Sequence, residues 1–217
     1  MNQKEAITEL KKHANPKNVE GMSRFGISSK NTLGVPVPIL RALAKKIGKN
    51  HQLAQQLWDS EIHEARILAS MIDNPKEVTE RQMDKWIKDF DSWDICDQTC
   101  MNLFDKTPNA HEKATEWAGR KPEYEKRAGF ALMACLAVHD KKAEDKKFEK
   151  FFTAIKKQST DDRNFVKKAV NWALRQIGKR NESLKKKAIQ TAREIQKIES
   201  KAAKWIAADA LRELKKR

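Results

Sequence analysis

The chain has 217 residues, and its 45 Lys and Arg against 30 Asp and Glu give a formal net charge of +15 at pH 7. It has no run near the roughly 18 apolar residues that a membrane helix requires, and its first residues lack the apolar core of a signal peptide. Six Trp and eight Phe exclude a disordered polyelectrolyte. We therefore expect a soluble, cytoplasmic protein that folds.

The composition also predicts the fold class. Only 7 Gly and 6 Pro interrupt a chain that is rich in Ala, Leu, Lys, Glu and Gln, all of which favour helix. No long run of alternating β-branched residues predicts a sheet. The length suits one domain or one repeat array, so we predict a single all-α domain over residues 1–217.

Helix start and stop signals divide the chain at short intervals. The opening helix is predicted over about 4–14, where it stops before Asn15-Pro16, and a loop over 28–35 contains Gly34. The next helix has Pro36 near its first turn. Further helices are predicted over 50–58, 61–72, 76–89, 92–105, 108–118, 122–138, 142–157, 161–179, 181–197 and 200–215. Short connections favour antiparallel neighbours.

Some of these helices resemble one another. Residues 168–175 resemble residues 205–212, and the matching Leu174 and Leu211 are 37 residues apart. Periods near 40 residues with two helices each indicate HEAT-like antiparallel helix pairs. Such pairs stack into a curved solenoid, for which we predict a basic concave face. A compact, irregular helical bundle is the alternative.

Positive charge is concentrated in the second half. Residues 1–108 hold 16 basic and 15 acidic residues, whereas residues 109–217 hold 29 and 15, a net charge of +14. This excess predicts a surface that binds phosphates, although some of its charges are expected to be ordinary solvated helix charges. The candidates for contact with nucleic acid are Lys156, Lys157, Arg163, Lys167, Lys168, Arg175, Lys179 and Arg180.

The segment 91–97 reads Asp-Ser-Trp-Asp-Ile-Cys-Asp and places carboxylates in a basic protein. Acids within a contact surface would oppose the binding of a polyanion, so their presence there indicates chemistry rather than affinity. On a helix, Trp93 and Asp97 share one face, which would pair an aromatic wall with a negative charge. The alternative is a buried tryptophan beside an N-terminal helix cap.

Two more residues invite a functional interpretation. Trp172 lies on a predicted amphipathic helix, where it is either core or a second aromatic wall. Arg127 precedes an apolar run, where it either pairs within the protein or grips a phosphate with its planar guanidinium group. Three cysteines form no CxxC pair and have no nearby His pair, so neither a metal site nor a cofactor is expected.

These segments together resemble the AlkD-type DNA alkylation repair glycosylases. The resemblance is sharpest at 92–97, 126–128 and 166–175, begins loosely at 33–41 and 57–59, and is weak over the lysine-rich 140–160. It implies that HEAT-like helix pairs hold duplex DNA and that the protein hydrolyses the N-glycosidic bond of cationic alkylpurines. The catalytic residues of the family then match Trp93, Asp97, Arg127 and Trp172.

The resemblance also implies that the damaged base stays stacked in double-stranded DNA while the sugar is attacked from outside. No cofactor, metal or membrane is implied, and we expect a monomer associated with the nucleoid. Two other classes compete with a glycosylase. One is a non-catalytic nucleic-acid-binding protein, against which the acids at 91–97 count, and the other is a protein-binding helical scaffold.

Overall fold

A computed structural model describes residues 1–216, which contain thirteen α-helices, two short 3-10 turns and no β-strand. The prediction of an all-α fold is confirmed. The chain divides into two compact units, Met1–Thr107 and a second unit that begins at Pro108. The predicted single domain over 1–217 spans both units and stays a prediction.

The first unit contains seven helices: α1 (Gln3–Lys12), α2 (Pro16–Ser23), α3 (Val37–Ile47), α4 (His51–Asp59), α5 (His63–Ile72), α6 (Glu80–Trp86) and α7 (Trp93–Asn102). Helix α5 forms its centre, because it packs against α3, α4 and α7 and buries most of its residues. Beside it, the rings of Trp58 and Trp86 stack 3.9 Å apart, and Trp58 donates a 2.8 Å hydrogen bond to Asp89. Helix α7 is held in this unit by its packing against α5.

The second unit contains six helices: α8 (Ala110–Ala118), α9 (Glu123–His139), α10 (Asp145–Gln158), α11 (Asn164–Gly178), α12 (Glu182–Gln196) and α13 (Lys201–Lys215). Helix α9 packs between α8 and α11 and is buried over residues 126–137, as expected of a helix that is apolar on every side. Gly129 permits the close approach to α8, because a Cβ there would lie 2.3 Å from the backbone nitrogen of Ala118.

One helix was missed, and three begin at least three residues later than predicted, among them α10, which was predicted from 142 and begins at Asp145. Asn15-Pro16 ends α1 but also starts the unpredicted α2, since the Asn15 side chain accepts from two backbone N–H groups and Pro16 fills the first helical position. The helix predicted from 76 begins at Glu80, after the capping residue Thr79. The helix predicted from 161 begins at Asn164, because the Asp161 side chain accepts from the Arg163 N–H and holds a turn.

Candidate functional site

The first candidate residues lie at the start of α7 in the first unit. Ser92 is the N-cap residue, yet its hydroxyl makes no capping hydrogen bond. Trp93 is the first helical residue and Asp97 follows one turn later, so both side chains lie on one face. Both are half-buried rather than part of the core. The structure thus brings these two residues together on one face of α7, and their role as site residues stays a prediction.

The indole of Trp93 has a fixed partner within the same unit. Its Nε1 donates a 3.0 Å hydrogen bond to the carbonyl oxygen of Phe25, just after α2. The Phe25 side chain itself is 73% exposed. Trp93 therefore connects α7 with the segment that follows α2, and it lines a pocket that is open to solvent.

A buried histidine next to α7 was not predicted. His63 is 2% exposed, and its Nε2 lies 2.7 Å from a carboxylate oxygen of Asp94. Burial lowers the pKa of His63, but the hydrogen bond to Asp94 and the charges of Asp94, Glu64 and Asp91 outweigh burial and raise that pKa above its ordinary value. The two partners are 31 residues apart in sequence, and nothing in the local pattern indicates their contact.

The neighbouring Glu64 is buried and holds the loop before α3. Its carboxylate accepts hydrogen bonds from the backbone N–H groups of Leu33, Gly34 and Val35, at 2.6–3.1 Å. Gly34 has φ +77°, and a Cβ there would lie 2.2 Å from the carbonyl oxygen of Asn15. This loop, α2, α5 and α7 line an open pocket of about 620 Å³ with mostly apolar walls.

Arg127 and Trp172 lie in the second unit, on α9 and α11, which pack against each other. Arg127 is 6% exposed, and its Nη1 donates a 2.6 Å hydrogen bond to the carbonyl oxygen of Phe165 in α11. Trp172 is half-buried, so it is not a core residue. Arg127 therefore joins two helices, and its predicted contact with a phosphate stays a prediction.

Most of the eight candidate cations have partners inside the second unit. Four of them form ion pairs with carboxylates: Lys156 with Glu194, Arg163 with Asp161, Arg175 with Glu213 and Asp209, and Lys179 with Glu213. Arg180 donates to the carbonyl oxygens of Ala137 and Ala143, and Lys167 lies 5.1 Å from the ring centre of Trp205. Lys157 and Lys168 are exposed and have no ion pair among residues 1–216. Their predicted role in binding nucleic acid remains a prediction.

Neither a metal centre nor a membrane helix is found in the part of the chain that the structure describes. No group of three or more His, Cys, Asp or Glu residues there is arranged to hold a metal ion. Cys96, Cys100 and Cys135 are buried and form no disulfide. No described helix is both long and apolar enough to cross a bilayer.

Comparison with known proteins gives a family and a fold. The family model described as "DNA alkylation repair enzyme" matches residues 6–214. "Uncharacterized protein Lin0241" of Listeria innocua serovar 6a is 23% identical over 195 residues, which cover 88% of this chain and 85% of that protein.

A solved structure described as "A new family of proteins related to the HEAT-like repeat DNA glycosylases with affinity for branched DNA structures" superposes with a TM-score of 0.82. It is 21% identical, and the match covers 98% of this chain and 95% of that chain. A designed armadillo repeat protein matches with a TM-score of 0.37 at 14% identity, over 81% of this chain and 91% of the other. The first of these two matches confirms the predicted HEAT-like fold.

Proposed function

Because this chain belongs to the DNA alkylation repair enzyme family, we propose that it is a DNA N-glycosylase. Its substrates are cationic alkylated purines in double-stranded DNA, of the 3-methyladenine and 7-methylguanine type. The observation that carries this proposal is the pairing of Trp93 and Asp97, two accessible side chains one helical turn apart at the start of α7. No metal or cofactor enters the reaction.

Hydrolysis of an alkylated purine needs little acid catalysis, because the base already carries the positive charge that a general acid would supply. As the bond between C1′ and the base breaks, its electron pair leaves with the base, which becomes neutral, and positive charge develops on the deoxyribose. Water then adds to C1′ and loses a proton. A carboxylate near the sugar stabilises the developing charge and orients that water.

Asp97 is the residue that we assign to this role. Opposite unit charges about 4 Å apart attract by about 4 kcal/mol at an effective dielectric constant near 20. Each ~1.4 kcal/mol of transition-state stabilisation is a factor of about ten in rate, so Asp97 would contribute about a thousandfold. The indole face of Trp93 would exclude water and favour the same positive charge. The predicted role of Trp172 as a second aromatic wall stays a prediction.

The second unit would supply affinity for DNA. Arg127 positions α11, the helix that carries Trp172, through the carbonyl oxygen of Phe165. The net charge of +14 on residues 109–217 would attract the phosphates of DNA. Because Lys157 and Lys168 are exposed and have no described ion pair, we propose that they contribute more to binding than the four cations already paired with carboxylates.

The test is base release from N-methylpurine DNA by the wild type and by Asp97→Asn. We expect the variant to lose about a thousandfold in single-turnover rate while its affinity for DNA changes less than threefold, because the charge acts on the transition state. Asp91→Asn is the matched control: it removes the same charge from an exposed position two residues before Trp93 and should excise at nearly the wild-type rate. An Asp97→Asn variant that releases 7-methylguanine as fast as Asp91→Asn would refute the assignment.

A second candidate is a non-catalytic protein that binds branched DNA. It is favoured by the structural relative with a TM-score of 0.82, whose family is described as having affinity for branched DNA. Under this alternative, wild-type protein would release no base from methylated duplex and would bind a four-way junction at least tenfold more tightly than a linear duplex of equal length. A glycosylase should release base from the linear methylated duplex.

A further inference from the structure

Helix α13 in the second unit presents a surface to solvent that carries positive charge and no acid. Its exposed residues are Lys201, Lys204, Trp205, Ala208, Arg212 and Lys215. Its two acids, Asp209 and Glu213, are directed to α11 instead. Asp209 accepts a 2.7 Å hydrogen bond from the side chain of Asn171. Glu213 forms ion pairs with Arg175 and Lys179. The exposed face of α13 is therefore left with cations, one indole and one methyl group.

Most of these cations remain available to an anionic ligand. Lys201 and Lys215 form no ion pair among residues 1–216. Lys204 pairs with Glu199, which is 89% exposed, and an ion pair between such exposed groups contributes little. Arg212 pairs with an acid of its own helix. The first turn of α13 contains no acid, so the partial positive charge of the helix N-terminus adds to that of the lysines.

Trp205 lies in the middle of these cations. It is 41% exposed, and Lys167 of α11 places its Nζ 5.1 Å from the centre of the indole ring. The other exposed large apolar side chains of residues 1–216 are Met1, Phe25 and Val138. Lys201 precedes Trp205 by four residues, about 6 Å along the helix axis, and Arg212 follows it by seven, about 10 Å. The indole thus has a cation before it and after it along α13, and a third beside it on α11.

An aromatic ring among cations is the combination with which proteins hold nucleic acid strands whose bases are unpaired. The cations attract the phosphates, and a base stacks on the ring. In a duplex, the faces of the bases are covered by their neighbours, so an indole on a protein surface cannot stack on them. An acidic peptide would satisfy the lysines but offers no flat ring to the indole. The exposed face of α13 therefore favours a single strand.

We propose that the exposed face of α13 binds single-stranded DNA. One unpaired base stacks on Trp205, and Lys167 and Lys201 hold the phosphates that flank it. Such a strand is present at a gap, a flap or a branch in DNA. DNA is the expected strand, because the chain belongs to a DNA repair family. The inference goes beyond the proposed glycosylase, which acts on paired DNA.

The test compares wild type, Trp205→Leu and Trp205→Phe by fluorescence anisotropy with a labelled oligo(dT) of about 12 nucleotides, a length within the range of single-strand sites. Trp205→Leu should weaken binding at least about fivefold, the lower end of what one stacked base contributes. Trp205→Phe keeps a ring and should bind within about threefold of the wild type. A duplex of equal length should bind all three proteins alike. The proposal is overturned if Trp205→Leu binds oligo(dT) like the wild type, or if it loses as much affinity for the duplex.

Phe25→Leu is the matched control, because it removes an aromatic side chain that is also exposed but lies in the first unit. It should bind oligo(dT) like the wild type, and an equal loss in Phe25→Leu and Trp205→Leu would overturn the assignment to α13. Since Trp205 is exposed, Trp205→Leu should also keep the wild-type melting temperature. Recovery of affinity in Trp205→Phe separates a lost ring from a damaged fold.

The cations are tested by the salt dependence of oligo(dT) binding. Lys201→Gln should reduce the slope of log affinity against log salt by about 0.7, the contribution of one phosphate in a single strand. Lys142→Gln, which changes an exposed lysine between α9 and α10, should leave the slope unchanged. An unchanged slope in Lys201→Gln overturns the proposal. So does tighter binding of oligo(rU) or of poly-glutamate than of oligo(dT), which would identify RNA or an acidic protein as the ligand.

This proposal and the glycosylase can fail separately. Trp205→Leu should release base from methylated duplex at the wild-type single-turnover rate. If Trp205→Leu weakens oligo(dT) binding but the wild type releases no base, the strand site stands and the glycosylase fails. If the wild type releases base and Trp205→Leu binds oligo(dT) normally, the glycosylase stands and the strand site fails.

Discussion

Asp161 is the centre of a cluster of charges in the second unit that should respond measurably to a single substitution. One oxygen of its carboxylate accepts from Arg163 Nη2 at 2.5 Å and from Lys126 Nζ at 3.0 Å, and the other accepts from Arg163 Nε at 2.9 Å. The side chain of Asp161 is 11% exposed. The hydrogen bonds from Arg163, opposed by burial and supported by Lys126, lower the pKa of Asp161 from 3.8 to about 2.

This pKa sets the size of the expected effect. Lowering a carboxyl pKa from 3.8 to about 2 corresponds to about 2.4 kcal/mol of stabilisation, which solvent screening of Arg163 reduces to about 2 kcal/mol. Because the pKa is lower in the folded state, this stability is fully present above pH 3.8. It is lost as the pH falls from about 4 to about 2.

The assay is urea denaturation of Asp161→Asn and wild type at pH 7 and at pH 3. We expect Asp161→Asn to lower the free energy of unfolding of the second unit by about 2 kcal/mol at pH 7 and by clearly less at pH 3. Asp162→Asn is the control, since Asp162 is an exposed neighbour and its substitution should cost within about 0.5 kcal/mol. The reasoning is refuted if the two variants are equally stable at pH 7, or if carboxyl NMR places the Asp161 pKa near 3.8.

Two further predictions concern the cores of the two units. His63 has a raised pKa in the folded protein, so the stability that it contributes is fully present below about pH 6.5 and is lost as the pH rises through the folded value. The urea midpoint of the wild type should therefore fall above about pH 6.5, whereas that of His63→Phe should not. Gly129→Ala should destabilise the second unit by about 1–3 kcal/mol in urea denaturation, because its Cβ would lie 2.3 Å from the backbone nitrogen of Ala118. Gly119→Ala is the control and should cost much less, because the nearest atom to its Cβ would be 3.4 Å away. A Gly129→Ala midpoint equal to that of Gly119→Ala would contradict the close approach of α8 and α9.

Much of the helical architecture follows from local signals. Capping residues and the scarcity of Gly and Pro locate twelve of the thirteen helices, because these preferences act within a few residues along the chain. The exception is α2. The same two residues, Asn15-Pro16, end α1 and begin α2, and the prediction used them only as the end of a helix. Helix α2 also buries none of its residues, so no apolar periodicity indicated it.

The candidate site likewise contains one feature that the local sequence predicts and one that it does not. The spacing of Trp93 and Asp97 is a property of one helix, and the structure shows both side chains accessible on one face of α7. The pairing of His63 with Asp94 is tertiary and spans 31 residues, so periodicity and composition carry no trace of it. Local spacing predicts a shared face, but only packing decides which side chains meet across helices.

A count of basic residues along the sequence is likewise a limited guide to the affinity for DNA. The excess of basic residues in 146–187 is a property of the sequence, but Lys156, Arg175 and Lys179 form ion pairs with acids on α12 and α13. Such pairs join residues 34–38 positions apart in sequence, so a local count overstates the number of cations available to phosphates. The net charge is unaffected by pairing, and it still governs long-range attraction to DNA.

Trp93 is tied to its own unit by a hydrogen bond, and this determines which substitution tests the glycosylase proposal cleanly. Its indole lies on the same face of α7 as Asp97, and it also holds the end of α2 through the carbonyl oxygen of Phe25. Replacing Trp93 would therefore disturb both the surroundings of the sugar and the attachment of α2. Asp97 lies one helical turn further along α7, so Asp97→Asn removes a charge and leaves the bond from Trp93 to Phe25 in place.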